Sequence, residues 1–241
     1  MNTWHEAAES VFGISLNSHQ LEQFEEYLSI LLEWNEKFNL TAIREPEDIR
    51  YKHFLDSLSV TRGWSRFTPP TSLIDLGTGA GFPGIPLKIL WPELKLSLVD
   101  SVGKKINFCR LVLESLQLHN AETMAIRAEE LGQNPDYREK YQLVTARAVA
   151  PLPVLLEYCL PLAQPGGRIV LQKGTDAPEE AERCRSIMHK LGGDLKEVLP
   201  IEFPGIEGMR YLVLIDKNTH TPSIYPRPTG VPSKSPLTIK E

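Results

Sequence analysis

Leu73-Ile74-Asp75-Leu76-Gly77-Thr78-Gly79-Ala80-Gly81-Phe82-Pro83-Gly84 sets the architecture of the chain. An apolar strand runs into a glycine-dense turn, and a proline-started helix follows. Glycines in such a turn let backbone approach a ligand closely and adopt φ > 0. Two ligands compete for the pattern. Gly79-Ala80-Gly81-Phe82-Pro83-Gly84 fits GxGxxG, the dinucleotide fingerprint. Gly77-Thr78-Gly79-Ala80-Gly81, with Asp75 two residues ahead, fits the GxGxG loop of S-adenosylmethionine (SAM) enzymes. The dinucleotide motif usually enters its first glycine without an acid, which favours SAM. Asp75 is then placed to steer the loop or the cationic amino-acid end of SAM. A turn that binds no ligand is the third reading.

The next strand ends in Leu98-Val99-Asp100-Ser101, and Asp100 follows Gly79 by 21 residues. An acid at that strand end can accept hydrogen bonds from both ribose hydroxyls, as in nucleotide-binding α/β folds. It supports a nucleoside ligand without separating SAM from NAD. A solvated acid capping the following helix is the plainer alternative.

Outward from this centre, apolar strands alternate with helical patterns. Strands are expected at Ser72–Leu76, Lys95–Val99, Thr123–Ile126, Tyr141–Ala146, Arg168–Gln172 and Arg210–Ile215. Helices are expected at Pro83–Leu90, Lys104–Leu118, Leu152–Leu162 and Pro178–Leu191. Alternation of this kind predicts βαβ units and a parallel sheet covered on both faces. Asp194–Glu202 and Arg210–Ile215 follow each other without a long helix between them, which predicts an antiparallel hairpin at one edge. Ahead of the sheet the chain reads as helical. Leu21, Phe24, Leu28, Leu31, Leu32 and Phe38 fall mostly three or four residues apart, and Pro46-Glu47-Asp48 opens a second helix through Val60. Gly63–Pro70 reads as a linker. The organisation expected is a helical extension over 1–68, a catalytic domain over 69–217 and a proline-rich basic tail over 218–241.

Composition narrows the function. The 241 residues are 41% apolar and 24% charged, ordinary for a globular protein. No apolar run approaches the ~20 residues that span a bilayer, and the N-terminus lacks signal-peptide character. Cys109, Cys159 and Cys184 are odd in number and without CxxC spacing, which argues against a disulfide framework or a zinc site and points to a cytoplasmic protein. The net charge of −5 opposes a general affinity for nucleic acid, so an RNA partner needs a local basic patch. Asn218–Lys240 offers one, with Arg227, Lys234, Lys240, five prolines and no acid.

Trp34-Asn35-Glu36-Lys37-Phe38-Asn39-Leu40-Thr41-Ala42-Ile43, His53-Phe54-Leu55-Asp56-Ser57-Leu58, Asp75–Pro86 and Asp100-Ser101 before Lys104-Lys105 open an ordered set of motifs. Arg127-Ala128-Glu129, Thr145–Leu152, Gln172-Lys173-Gly174, Tyr225-Pro226-Arg227 and Gly230-Val231-Pro232 complete it. The set resembles the bacterial small-subunit ribosomal RNA guanine-N7 methyltransferases, the RsmG or GidB family. The resemblance covers roughly residues 31 to 236. It implies an α/β, Rossmann-like seven-stranded SAM-dependent methyltransferase fold with an N-terminal helical extension. It also implies methyl transfer from SAM to N7 of one guanine (guanine 527, in the 530 loop) of 16S ribosomal RNA, either as naked RNA or within the small ribosomal subunit. A monomer working without metal is expected. By position, the family's SAM contacts fall on Gly77, Phe82, Ala128, Glu129 and Arg147, with Asp100, Ser101 and Val102 joining in part of the family. Gly79 joins them from the loop itself. The family often carries Lys before Tyr-Pro-Arg, where this chain has Ile224.

The chemistry agrees. Guanine N7 carries a lone pair and no proton, so its methylation needs positioning and no general base. A cytosine-C5 enzyme needs a nucleophilic cysteine, and Cys159 in Glu157-Tyr158-Cys159-Leu160 reads as a buried helix residue. An exocyclic-amine enzyme typically shows Asn/Asp-Pro-Pro-aromatic after the fourth strand, where this chain has Ala146-Arg147-Ala148-Val149-Ala150-Pro151. Arg147 is expected to meet SAM's carboxylate, guanine O6 or a structural acid, because its planar fork matches such acceptors. Glu129 is expected near the adenine or as a helix-start acid. His53 either lines the site or packs in its helix, and Lys173 meets phosphate or solvent. Arg227 and Lys234 are expected to contact RNA. Two other functions fit parts of the pattern: a SAM methyltransferase acting on protein or a small molecule, and a noncatalytic ribosome-assembly module on the same fold.

Overall fold

The protein is described by a computed structural model over residues 3–64, 68–206 and 208–238. Lys240, one of the tail's three expected bases, lies outside the described residues. Seven strands form one sheet: β1 (Ser72–Leu76), β2 (Lys95–Asp100), β3 (Ala121–Ala125), β4 (Tyr141–Arg147), β5 (Ala163–Lys173), β6 (Gly193–Ile201) and β7 (Arg210–Lys217). Their order is β3-β2-β1-β4-β5-β7-β6. The first five run parallel, and β7 inserts antiparallel between β5 and β6, which makes the expected edge hairpin.

Side-chain alternation along the strands builds two cores. Leu73, Leu96, Leu98, Leu143, Val170, Leu212 and Leu214 face one; Ile74, Leu76, Val144, Ile169, Leu171, Val213 and Ile215 face the other. The helices are α1 (Trp4–Ala7), α2 (Ser18–Phe38), α3 (Pro46–Ile49), α4 (Asp56–Leu58), α5 (Gly84–Leu90) and α6 (Gly103–Ser115). They continue with α7 (Ala128–Gln133), α8 (Leu152–Cys159), α9 (Ala177–Arg183), α10 (Arg185–Lys190) and α11 (Val231–Lys234).

The N-terminal helices share the first core rather than standing apart. Asn17 starts α2 by a capping box with Gln20, and Phe24, Tyr27, Leu28 and Leu31 bury its apolar stripe. They lie in one cluster with Phe54, Leu73, Ile85 and Phe108. Gly63, expected in a linker, is packed instead: a Cβ there would meet Leu214 and Val170 at 2.6 and 2.9 Å.

Several boundaries differ from the sequence pattern. The helix expected from Pro46 to Val60 passes through a π-helical stretch, Arg50–Leu55, and ends as 3₁₀ over Ser59–Gly63. Lys52 and His53 lie within this π stretch; such insertions cluster at functional sites. The helix expected over 178–191 breaks at Cys184, and β5 starts five residues early through a bulge opposite Tyr141–Leu143. α1, α7 and α11 are four to six residues long, too short to show a helical period.

The tail packs against α7 and α8. Tyr225 is buried in the second core, and Arg138 donates to the carbonyls of Thr221, Pro222 and Tyr225.

Candidate cofactor and acceptor clefts

At the carboxyl end of the sheet, β1 delivers its chain into the glycine loop. The amides of Gly77 and Thr78 both donate to the Val99 carbonyl, which ties the loop to β2. Asp75 is fully buried and acts within the protein. Its Oδ2 accepts from the Thr78 hydroxyl at 2.6 Å and the Gly84 amide at 2.9 Å, while Oδ1 has no hydrogen-bond partner among the described residues. Burial pushes its carboxyl up to about 6, opposed by those two bonds. Gly84 is required here, because a Cβ would meet Leu98 at 2.4 Å and that carboxylate at 2.9 Å. From the other side the Tyr27 hydroxyl donates to the Ala80 carbonyl, and its ring packs against both Phe54 and Phe82, which also touch each other. The N-terminal helices therefore grip the loop directly.

A cleft of about 280 Å³ opens beside the loop. Gly77, Asp100, Ser101, Val102, Ala128 and Glu129 line it, so six of the nine expected cofactor residues converge there. Asp100 accepts from the Gly79 amide at 3.1 Å and the Val102 amide at 2.9 Å, with Lys105 at 3.5 Å. Glu129 Oε1 accepts from the Tyr158 hydroxyl at 3.2 Å and the Gly230 amide at 2.9 Å. A Cβ at Gly77, whose φ is +69°, would meet Val149 at 2.4 Å, so only glycine keeps this wall open. The residues fit SAM: a glycine wall, an acid at the end of β2 for a ribose, and a second carboxylate across the cleft.

The other three expected cofactor residues sit elsewhere. Gly79 holds Asp100 through its amide, and Phe82 is buried in an aromatic stack. Arg147 lines a second cleft of about 410 Å³, with Lys52, His53, Asp56, Gln172, Lys173 and Arg210. Its guanidinium donates to Asp56 at 2.8 Å and lies over the Phe82 ring at 5.2 Å, so the structural acid competes with any cofactor carboxylate for it. Gln172 donates to the Asp56 carbonyl and carboxylate at 2.7 and 3.1 Å, while its Oε1 is buried without a partner among the described residues.

His53 both packs and lines the cleft. Its ring stacks on Phe82 at 4.5 Å, and its nitrogens lie 2.8 Å from Thr41 Oγ1, 3.1 Å from the Lys52 carbonyl and 3.2 Å from Arg147. Burial, reinforced by Arg147, pushes its pKa down to about 3. It is a neutral aromatic group at physiological pH and brings no charge to phosphate. The two clefts meet at Ala148, which lines both and holds a left-handed φ of 55°.

Two of the residues expected on RNA are committed to the protein. Arg227 makes a two-pronged pair with fully buried Glu157, Nε to Oε1 at 2.8 Å and Nη2 to Oε2 at 2.7 Å. Lys173 pairs with Glu180 at 2.8 Å on the second cleft's rim. Lys234 is exposed in α11. Reasoning from sequence missed Lys52, Asp56, Gln172, Arg210 and Tyr158. Asp56 and Gln172 belong to the motifs that carry the family resemblance; Lys52, Arg210 and Tyr158 carry no local signal. All three cysteines are buried, and among the described residues no three His, Cys, Asp or Glu side chains gather as a metal site. Among those residues no helix is long and apolar enough to cross a membrane.

The strand order, the glycine loop and the acid-lined cleft define a SAM-dependent methyltransferase. The fold matches TrmN from Thermus thermophilus with a TM-score of 0.53 at 19% identity, over 68% of this chain and 48% of that one, so the chain spans about half that protein's length. It also matches the P. horikoshii TYW2 solved with MeSAdo, with a TM-score of 0.50 at 15% identity, over 64% and 59%. Residues 20–202 match the family model described as rRNA small subunit methyltransferase G, GidB. Two curated proteins called ribosomal RNA small subunit methyltransferase G are each 47% identical. That of Acetivibrio thermocellus aligns over 95% of this chain and 93% of its own length; that of Roseiflexus sp. over 94% and 95%. The chain belongs to the rRNA small subunit methyltransferase G family.

Proposed function

We propose that the chain methylates N7 of one guanine, guanine 527 in the 530 loop of 16S ribosomal RNA, with SAM in the first cleft and the acceptor base in the second. The observation that carries this reading is the shared wall at Ala148 between a cleft lined by Asp100 and Glu129 and one bearing Lys52 and Arg210, with Arg147 held beside them by Asp56. The first suits a nucleoside with ribose hydroxyls and amine donors. The second gives an acidic protein the local basic surface that a polyanion requires.

Bound SAM supplies an electrophilic methyl, and an unprotonated N7 accepts it without a general base. The chain's own work is positioning, in which held geometry replaces the lost translational freedom of two reactants. Gly77 keeps the cofactor wall open, and Asp100 and Glu129 hold the nucleoside. His53, backed by Phe82, offers a neutral ring against which a base can stack, and Arg147, fixed by Asp56, presents a planar donor to an acceptor such as guanine O6. The N-terminal helical layer contributes Lys52, His53 and Asp56 and is part of the acceptor site. The reaction belongs in the cytoplasm, where small subunits are assembled, and one chain is sufficient for it.

Purified protein with SAM and either naked 16S rRNA or small subunits tests this, read by mass spectrometry of RNase fragments. A single N7-methylguanine in the 530 loop, lost from cells without the protein, is the expected result. Unmodified RNA with both substrates, together with unchanged cellular rRNA, would overturn it.

A further inference from the structure

The tail is built to reach the first cleft. Arg138 and Gln133 bind its carbonyls at Thr221, Tyr225 and Pro226, with distances of 2.7 Å at each. Pro226 sits against Gly132, where a Cβ would meet its ring at 2.7 Å, and Arg227 is clamped to Glu157. Gly132 and Gln133 lie on α7 and Glu157 on α8, the two helices that line the cleft, and Arg138 lies in the turn after α7. Three residues past the last anchor, Gly230 takes a φ of +81° and points its amide at Glu129 Oε1, 2.9 Å away. The Tyr158 hydroxyl reaches the same oxygen from α8. Both bonds fall on Oε1, and Oε2 makes no hydrogen bond within the protein among the described residues.

We propose that the Gly230 amide and the Tyr158 hydroxyl are positioning groups for cofactor binding. The tail is a strap that fixes the Glu129 carboxylate so that its second oxygen meets a donor of the bound nucleoside. This rests on the reading of that cleft as the SAM site. A free glutamate side chain samples several rotamers, and each flexible side chain immobilised on binding weakens affinity. Two donors on one oxygen remove that freedom before the ligand arrives. The tail thereby acts on the methyl donor's affinity and leaves the RNA's to the second cleft.

The test uses a chain ending at Pro228, which keeps Tyr225, Pro226 and Arg227 and deletes the Gly230 amide. Tyr158→Phe serves as an independent second perturbation. SAM affinity by calorimetry is expected to fall about three- to tenfold in each, with RNA affinity unchanged. The decisive measurement is a double-mutant cycle with Glu129→Ala. If the strap acts through Glu129, truncation has no further effect on SAM affinity in that background. Equal losses in both backgrounds would overturn the proposal, as would unchanged SAM affinity in a truncated chain that is folded by circular dichroism. A fall in RNA affinity alone would overturn it in favour of an RNA-contacting tail. Absence of SAM binding by the full-length chain would instead remove the cofactor assignment beneath it.

Discussion

Replacing Arg227 by alanine separates a structural clamp from an RNA contact. Glu157 is fully buried, and Arg227 supplies it with two side-chain bonds at 2.8 and 2.7 Å and a backbone amide at 2.8 Å. Arg227→Ala leaves only the amide. Breaking a buried pair by removing one partner costs about 3–5 kcal/mol, because the remaining charge stays desolvated. For a chain of this size each kcal/mol shifts the midpoint of thermal unfolding by about 2–4 °C, so the variant should unfold roughly 10 °C lower. Thermal unfolding checks the shift, and Arg227→Ala with Glu157→Leu should recover much of the loss, because no buried carboxylate is then left without its partner. RNA binding should keep its salt dependence. A variant with wild-type stability, and a slope of log affinity against log salt reduced by about one, would refute the clamp and restore a phosphate contact.

Three further outcomes follow from the site. Asp100→Ala removes the acceptor for a ribose and the bonds that hold Gly79 and Val102; SAM binding should weaken by about 1–3 kcal/mol in calorimetry, and unchanged affinity would remove Asp100 from the cofactor site. Lys52→Ala with Arg210→Ala should weaken RNA binding and flatten its salt dependence while SAM affinity holds, as filter binding across a salt series would show. His53, neutral when folded down to about pH 3, gains a proton near pH 6.5 when unfolded, so wild-type stability falls as pH drops between those values. At pH 5 that amounts to about 2 kcal/mol, and His53→Asn should show a shallower acid slope in denaturant titrations; an identical slope would contradict the buried neutral ring.

Most of the sheet was readable because its strands are apolar and bounded by turn residues. Ser72–Leu76 matches its expected span, and the edge hairpin follows from two strands with too little chain between them for a crossover. What local pattern could not give was register and breakage. The π stretch Arg50–Leu55 keeps helical composition, so nothing in the pattern distinguishes it from a regular helix, although two of its residues, Lys52 and His53, line the cleft. Cys184 interrupts a helix that has neither proline nor glycine at the break, and nothing in the sequence around it marks the position.

The site divides along a similar line. A glycine loop and a strand-end acid are legible because backbone geometry dictates them over a few residues: Gly77 must be glycine, and Asp100 must end β2. A cation's partner is not legible, because it is chosen by distant chain. Arg227, in an acid-free tail on an acidic protein, satisfies every local criterion for a phosphate ligand. Glu157, seventy residues earlier on α8, claims it, and the same segment then carries Gly230 to Glu129. Arg147 repeats the lesson with Asp56. In each pair the carboxylate is the buried member, and its desolvation is what makes the contact compulsory: an exposed acid can release its arginine to a phosphate, whereas Glu157 and Asp56 lose their compensation if they do. The basic residues left to meet RNA are those whose acids stay in water, and Lys52, whose partner Asp48 is half-exposed, is the clearest of them on the rim of the second cleft.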